Sequence, residues 1–272
     1  MSDARLGDRL ARRILHRVVA AAARRTLADR ELVGEDGARR RWLTPEIERC
    51  VAAFEPEAVR LRPYARSAAL PRFGNRLLVE MAVQTVAAYR TLRQAGVAAP
   101  SARATVADLG WVVYRRMVAA TALPARVATR DPGRRLRWTV RMLLFFPFSA
   151  EGAPGYAVER RIDGDDILTH FTHCPPQTFA RRLGETFDDP EILAVFRQSW
   201  CQYDWPVADV IAKDGRRGHY ARRRTLSYGD AVCDMCWRAH ATGDARHGPP
   251  ETTKKRMRRA GAKPIAARRR DR

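Results

Sequence analysis

The chain has 272 residues, 46% of them hydrophobic, and a formal net charge of +21. That apolar content supports a sizeable core and excludes wholesale disorder, and the length suits one large domain or two small ones. The charge invites a nucleic-acid reading, but residues 1–30 hold a net +5 and residues 251–272 a net +8, which leaves only +8 for the 220 residues between; no helix-turn-helix, zinc-finger or RNA-binding motif accompanies it.

Residues 5–30 predict an arginine-rich helix in which Leu6, Leu10, Ile14 and Val18 recur every four residues as one narrow apolar stripe. Such a helix can lie on a membrane or act as a transit segment. The plainer expectation is a helix packed on the body with its arginines in water. Arginines interrupt every apolar run here, so no signal-peptide core is expected. Gly34–Gly37 marks a loop. Thr44-Pro45-Glu46 opens a second helix, with Thr44 as N-cap and proline at the first helical position. Prolines 56, 63 and 71 predict broken structure up to Phe73. Helix resumes over Arg76–Gln94 and stops at Gly96. Ser101 caps another, through about Ala122, on which Trp111, Tyr114 and Met117 form a stripe read as core rather than a cofactor pocket.

After Pro132-Gly133 the texture changes. Residues 135–146 and 156–173 read as short β-type segments, aromatic or β-branched and bounded by turn signals. The run Met142–Phe148 is far too short to span a membrane. Ala157–Arg161 and Ile167–His173 predict a hairpin. Helices follow from Pro175 through Leu183, over Glu191–Tyr203, and at 206–213. A second hairpin pairs His219–Tyr228 with Ala231–His240 around Gly229-Asp230. From Gly243 onward Gly, Pro, Lys and Arg dominate, and a disordered tail is expected. No internal repeat is visible. The expected fold is α+β, a helical N-terminal half followed by an antiparallel sheet with packed helices. Its regions are a basic helical segment (1–74), an α+β domain (75–242) and the basic tail (243–272).

Reactive side chains concentrate late in the chain. Four of the five cysteines lie between His170 and Cys236. Their odd number and spacing do not match a secreted disulfide scaffold, so free thiols in a reducing cytoplasm are expected. Cys233-x-x-Cys236 and His170-x-x-His173-Cys174 carry zinc-ligand residue types. On a strand, however, Cys233, Met235 and Trp237 share one face while Asp234 and Cys236 share the other. No metal or other cofactor is called for. Cys174 precedes Pro175-Pro176 and the helix they open, a position where the helix dipole favours thiolate. Cys201 and Asp204 stand at helical i, i+3 spacing.

Three runs, Thr172-His173-Cys174-Pro175, Trp200-Cys201-Gln202-Tyr203-Asp204 and Arg224-Thr225-Leu226-Ser227-Tyr228-Gly229-Asp230-Ala231-Val232-Cys233-Asp234, together resemble the L-2-amino-thiazoline-4-carboxylate hydrolase family. The resemblance covers about residues 75–240 and is best from 157 onward. Met235 and Cys236 stand where that family usually has an aromatic residue. The resemblance implies hydrolytic opening of a small cyclic amidine by cleavage of a C–N bond. Cys174, Cys201 or Cys233 would attack, or water in their place. Asp204 and Asp234 would bond the amidinium and move its proton. Arg222 or Arg224, with His173 nearby, would hold the substrate carboxylate. Cys174, Cys201, Asp204, Cys233 and Asp234 are expected to converge on one pocket.

The contrasting expectation is a non-catalytic domain that binds a small molecule or zinc, of the vinyl-reductase-like type. The expected partner is a small-molecule substrate. The basic ends suit weak, non-specific contact with anions. The oligomeric state is left open.

Overall fold

The computed structural model describes residues 2–149 and 151–243. Helix α1 (Ser2–Ala28) leads into a two-stranded antiparallel ribbon, β1 (Glu31–Val33) and β2 (Arg39–Arg41). Next come α2 (Thr44–Ala52), α3 (Phe54–Leu61), α4 (Phe73–Gln94), α5 (Ala99–Thr121) and α6 (Leu123–Ala128). Then come α7 (Pro132–Phe145), β3 (Ala157–Asp163), β4 (Asp166–His173), α8 (Pro175–Phe187), α9 (Glu191–Gln198), α10 (Trp200–Ala212), β5 (Tyr220–Ala221) and β6 (Cys233–Trp237). The sheet is antiparallel in the order β3-β4-β6-β5. The fold is α+β, as expected.

The sheet's shape follows from its sequence. Gly164, at φ +56°, turns β3 back into β4. On β4, Ile167, Thr169 and Phe171 alternate inward and are buried, while β3 carries Glu159, Arg160, Arg161 and Asp163 on an exposed edge. A charged edge resists pairing with another chain. Helix α4 is the centre of the helical layer: every residue from Leu78 to Tyr89 is buried, most of them apolar, such as Val79, Ala82, Val83, Val86 and Ala87, with Glu80, Gln84 and Thr85 the polar ones. A helix enclosed on every side is an interior one.

The first residues do not form a separate unit. One cluster of buried side chains runs from Leu15, Val19 and Leu27 on α1 to Phe171 and Cys233 on the sheet, so region 1–74 shares its core with region 75–242. Helix α1 packs on the body, but through Leu15, Val19, Ala22, Ala23 and Leu27. The stripe noted in the sequence faces outward, with Leu10 57%, Ile14 52% and Val18 38% exposed; the side chain of Leu6 lies outside the described residues. Four-residue spacing drifts across a helix of 3.6 residues per turn, and alanines supply the close-packed face instead.

Other local expectations also shift. Thr44 is the first residue of α2 rather than its cap; the Glu46 carboxylate accepts from the Leu43 N–H at 2.8 Å. Ser101 lies inside α5, where its Oγ accepts from the Val33 N–H at 3.1 Å. Between Pro56 and Phe73 the chain is not simply broken, since α3 and two short 3₁₀ turns fill it.

The largest correction concerns residues 135–146, which form α7 and not a strand. Asp131 caps it by accepting from the Arg134 N–H at 2.6 Å, and Pro132 occupies the first helical position. Leu136, Val140 and Leu143 then recur at i, i+4 and i+7 on its buried face. The helix expected over 191–203 is interrupted at Ser199, whose φ −103°, ψ −88° lies outside the helical region. The second hairpin is shorter than expected, because residues 226–228 make a 3₁₀ turn between β5 and β6. The tail beyond Gly243 lies outside the described residues.

Candidate functional site

A cavity of about 100 Å³ lies between the sheet, α7 and α10. It is of the same order as the ~150 Å³ apolar cavity that takes up benzene in an engineered protein. The register of the two central strands builds one wall. Phe171 pairs with Cys233 and Thr169 with Met235, and all four line the cavity together with Trp237. The Trp237 indole N–H donates to Thr169 Oγ1 at 2.9 Å, which locks the ring across the pair of strands. Cys233, Met235 and Trp237 thus share a face, as strand alternation requires. Cys236 points the other way, with its Sγ toward Asp166.

Helix α7 forms a second wall through Val140, Leu143 and Leu144. Helix α10 contributes Trp200 and Asp204, one turn apart, and the Trp200 indole is fixed by donating to Thr85 Oγ1 at 3.0 Å. Tyr114, on the α5 stripe, and Tyr156 complete the aromatic part. Cys174 enters at the join of β4 and α8: it is the N-cap of α8, in extended backbone at φ −132°, ψ 105°, and lines the cavity beside Pro176.

Among the described residues, Asp204 is the one charged residue in this lining. Its Oδ2 accepts from Arg222 Nη1 at 3.1 Å and from the Tyr220 hydroxyl at 3.3 Å, and among the described residues Oδ1 has no hydrogen-bond partner. Burial pushes its pKa up to about 6, against the opposing pull of the Arg222 guanidinium and the Tyr220 hydroxyl. Arg222 is itself buried. Its Nη2 donates to the Cys201 carbonyl, and its guanidinium lies 4.6 Å from the centre of the Trp205 ring. Coulombic attraction to Asp204 is among the causes that hold it firmly protonated despite burial.

The thiols are neutral at rest. Burial raises the Cys174 pKa well above the usual thiol value, although the Gln177 N–H at the start of α8 bonds the sulfur and opposes the rise. Desolvation therefore outweighs the helix N-terminus that the sequence advertised. Cys201 is pushed up to about 11 by burial, with Arg222 opposing. Its Sγ lies 3.0 Å from Ser227 Oγ, behind the cavity wall rather than in the lining. Cys233 is raised by burial too, against bonds from Thr225 Oγ1 and the Leu226 N–H, each at 3.2 Å. The turn at 225–227 thus ties Cys201 and Cys233 together.

Of the candidate catalytic and substrate-binding residues, Cys174, Asp204 and Cys233 line the cavity. Cys201 and Arg222 stand directly behind it, bonded to one another, with Arg222 also bonded to Asp204. Asp234, His173 and Arg224 do not join them. Asp234 Oδ1 accepts from the Arg223 and Arg224 N–H groups at 2.9 and 2.7 Å, and its Oδ2 takes Arg224 Nε at 3.2 Å. Although burial pushes its pKa up, these bonds hold it below the usual carboxylate range. It clamps the β5–β6 loop from the far face of the strand, with Arg224 largely exposed beside it. His173 Nδ1 lies 2.5 Å from the Gly155 carbonyl and Nε2 3.1 Å from Thr178 Oγ1. The first contact needs a proton on Nδ1. Both nitrogens are occupied, one on the loop before β3 and one on the first turn of α8.

Sequence reasoning missed Tyr156, Tyr220, Trp205 and the α7 wall. Tyr114 was visible in the α5 stripe, but as core. The others sit in no motif, and α7 was misread from its Trp138, Thr139 and Val140 and its aromatic end, although Arg, Leu and Met dominate it. Among the described residues, no three His, Cys, Asp or Glu side chains are grouped so that they could hold a metal ion, and no helix is long and apolar enough to cross a membrane. No family model, curated protein or solved structure matches this chain.

Proposed function

We propose that the protein hydrolyses a C–N bond in a small cyclic amidine, with Asp204 as the group that moves protons. The observation that carries this reading is that Cys174, Asp204 and Cys233, from three separated motifs, line one cavity whose single charged group is Asp204. A carboxylate with pKa near 6 is ionised at neutral pH yet basic enough to take a proton in the transition state. Because burial keeps all three thiols protonated, water is the nucleophile in this scheme. Asp204 removes a proton as the water oxygen bonds to the amidine carbon. That proton then passes to the ring nitrogen as the C–N bond breaks, and Asp204 returns to its carboxylate form. Cys174 and Cys233 shape the apolar surround and exclude bulk water.

The test is incubation with 2-amino-thiazoline-type rings, scored by mass spectrometry for gain of one water and by release of a primary amine. Loss of at least about 10²-fold in rate in Asp204→Asn is expected. Cys174→Ser keeps most of the activity if water attacks and loses it if the sulfur does. A wild-type protein that turns over no such ring removes the reading.

A second reading is a non-catalytic domain that binds a small molecule in the same cavity. The neutral thiols and aromatic lining favour it. It rests on the cavity and not on a metal. Saturable binding of an unchanged ligand, with no product over many hours, is its signature.

A further inference from the structure

We infer that the ring accepted by this cavity carries no carboxylate: it is an amidine that donates an N–H to Asp204 and turns a hydrocarbon edge to the other walls. This rests on the hydrolase reading for the word substrate, while the binding argument stands without it. The argument begins with what faces the cavity. No lysine, arginine or histidine lines it among the described residues. Most of the rest of the lining is aliphatic or aromatic, Leu78, Leu143, Phe148 and Phe171 among it. An anionic ligand placed there would lose its water and meet no cation, the costliest form of burial.

Arg222 is the cation that a substrate carboxylate would need, and its position rules it out. It is not part of the lining. Its Nη1 is held by Asp204 Oδ2, its Nη2 by the Cys201 carbonyl, and its flat face by Trp205. The side chain is only 3% exposed. Turning it toward a ligand would leave Asp204 as a buried charge without a counter-ion and strip the Cys201 carbonyl of its donor. Arg224 is on the far face with Asp234. Both arginines that the sequence offered to a carboxylate are therefore already engaged.

What the cavity does offer is an acceptor. Both bonds to Asp204 use Oδ2, and Oδ1 is left for a donor. An amidine presents N–H groups on one edge, and a carboxylate-free ring presents hydrocarbon on the opposite one. That polarity matches the site: Asp204 is its charged acceptor, and beyond the Tyr114, Tyr156 and Thr169 hydroxyls and the Cys174 and Cys233 thiols, none of them a cation, the lining is apolar.

The experiment measures calorimetric affinity and turnover for three compounds on the full chain: 2-amino-thiazoline, its 4-methyl derivative and its 4-carboxylate. Expected is the order methyl, then parent, then carboxylate, with the carboxylate weaker than the methyl compound by at least about tenfold. Asp204→Asn should weaken the two carboxylate-free rings toward the carboxylate. Binding in this order without turnover supports the inference while removing the hydrolase reading. Equal or tighter binding of the carboxylate, or faster turnover of it, overturns the inference and leaves that reading standing. Absence of binding by all three overturns it as well.

Discussion

Asp204 and Arg222 meet in the interior through a single carboxylate oxygen, Oδ2, at 3.1 Å from Nη1. Both hydrogen bonds to the carboxylate use this oxygen, and Asp204 lines the cavity. One residue therefore answers two demands: its charge is compensated from behind, and an acceptor remains in front. The side chains are 3% exposed for Arg222 and 13% for Asp204, so water contributes little to the balance.

Breaking that pair from one side should be costly. Arg222→Ala leaves a buried carboxylate without a counter-ion and removes the donor to the Cys201 carbonyl. A loss of about 3–5 kcal/mol is expected. Urea unfolding followed by circular dichroism checks it; a loss under about 1 kcal/mol would mean the pair is solvated.

The raised Asp204 pKa sets two pH dependences of opposite sign. Turnover needs the carboxylate as base, so it should rise with pH through about 6 and be flat in Asp204→Asn. Stability runs the other way. The folded pKa lies above the unfolded value near 3.9, so this group's contribution is complete below about pH 4 and is lost as pH rises through about 6. The stability difference between wild type and Asp204→Asn should therefore shrink or reverse from pH 4 to 7, as read from urea midpoints.

Thiol chemistry should be suppressed by the fold. Burial raises Cys50 to about 12 and Cys201 to about 11, and raises Cys174, Cys233 and Cys236 as well. Ellman's reagent at neutral pH should modify the native protein slowly and all five cysteines quickly in denaturant. A fast-reacting thiol in the native protein would contradict the neutral-thiol scheme.

His173 and Arg224 should prove dispensable for chemistry. His173→Ala loses the contacts to Gly155 and Thr178 and should cost about 1–2 kcal/mol of stability. Arg224→Ala should change stability by less than about 1 kcal/mol. Neither should change kcat by more than a small factor. A KM rise of a hundredfold in Arg224→Ala would restore it as a substrate ligand.

Gly74 tests the packing of α4 against the segment after α7. A Cβ there would stand 2.6 Å from the Pro147 carbonyl oxygen and 2.7 Å from its Cα. Helix propensity favours alanine by about 1 kcal/mol, yet Gly74→Ala should destabilise by about 1–3 kcal/mol because backbone must move. Thermal unfolding would show the sign directly.

The sequence by itself determined the α+β class, the β3–β4 hairpin and the face that Cys233, Met235 and Trp237 share. Those are consequences of period-two alternation and turn chemistry, which act over a few residues. It also drew attention to Cys174 and the Cys201–Asp204 pair, because reactive side chains are rare enough to be noticed singly. Tertiary structure alone decided which of these meet. Phe171 and Cys233 face each other only because β6 pairs with β4 across more than sixty residues. Local signals for α7 were present in the Asp131 cap, Pro132 and the Leu136, Val140 and Leu143 repeat, but Trp138, Thr139, Val140 and the aromatic end of the helix drew the reading toward strand. Local rules misjudged α1, where alanines bury and leucine and isoleucine face outward. Protonation was the last thing left to the fold. Helix position favoured a Cys174 thiolate, but desolvation by walls drawn from across the chain outweighs a single helix end.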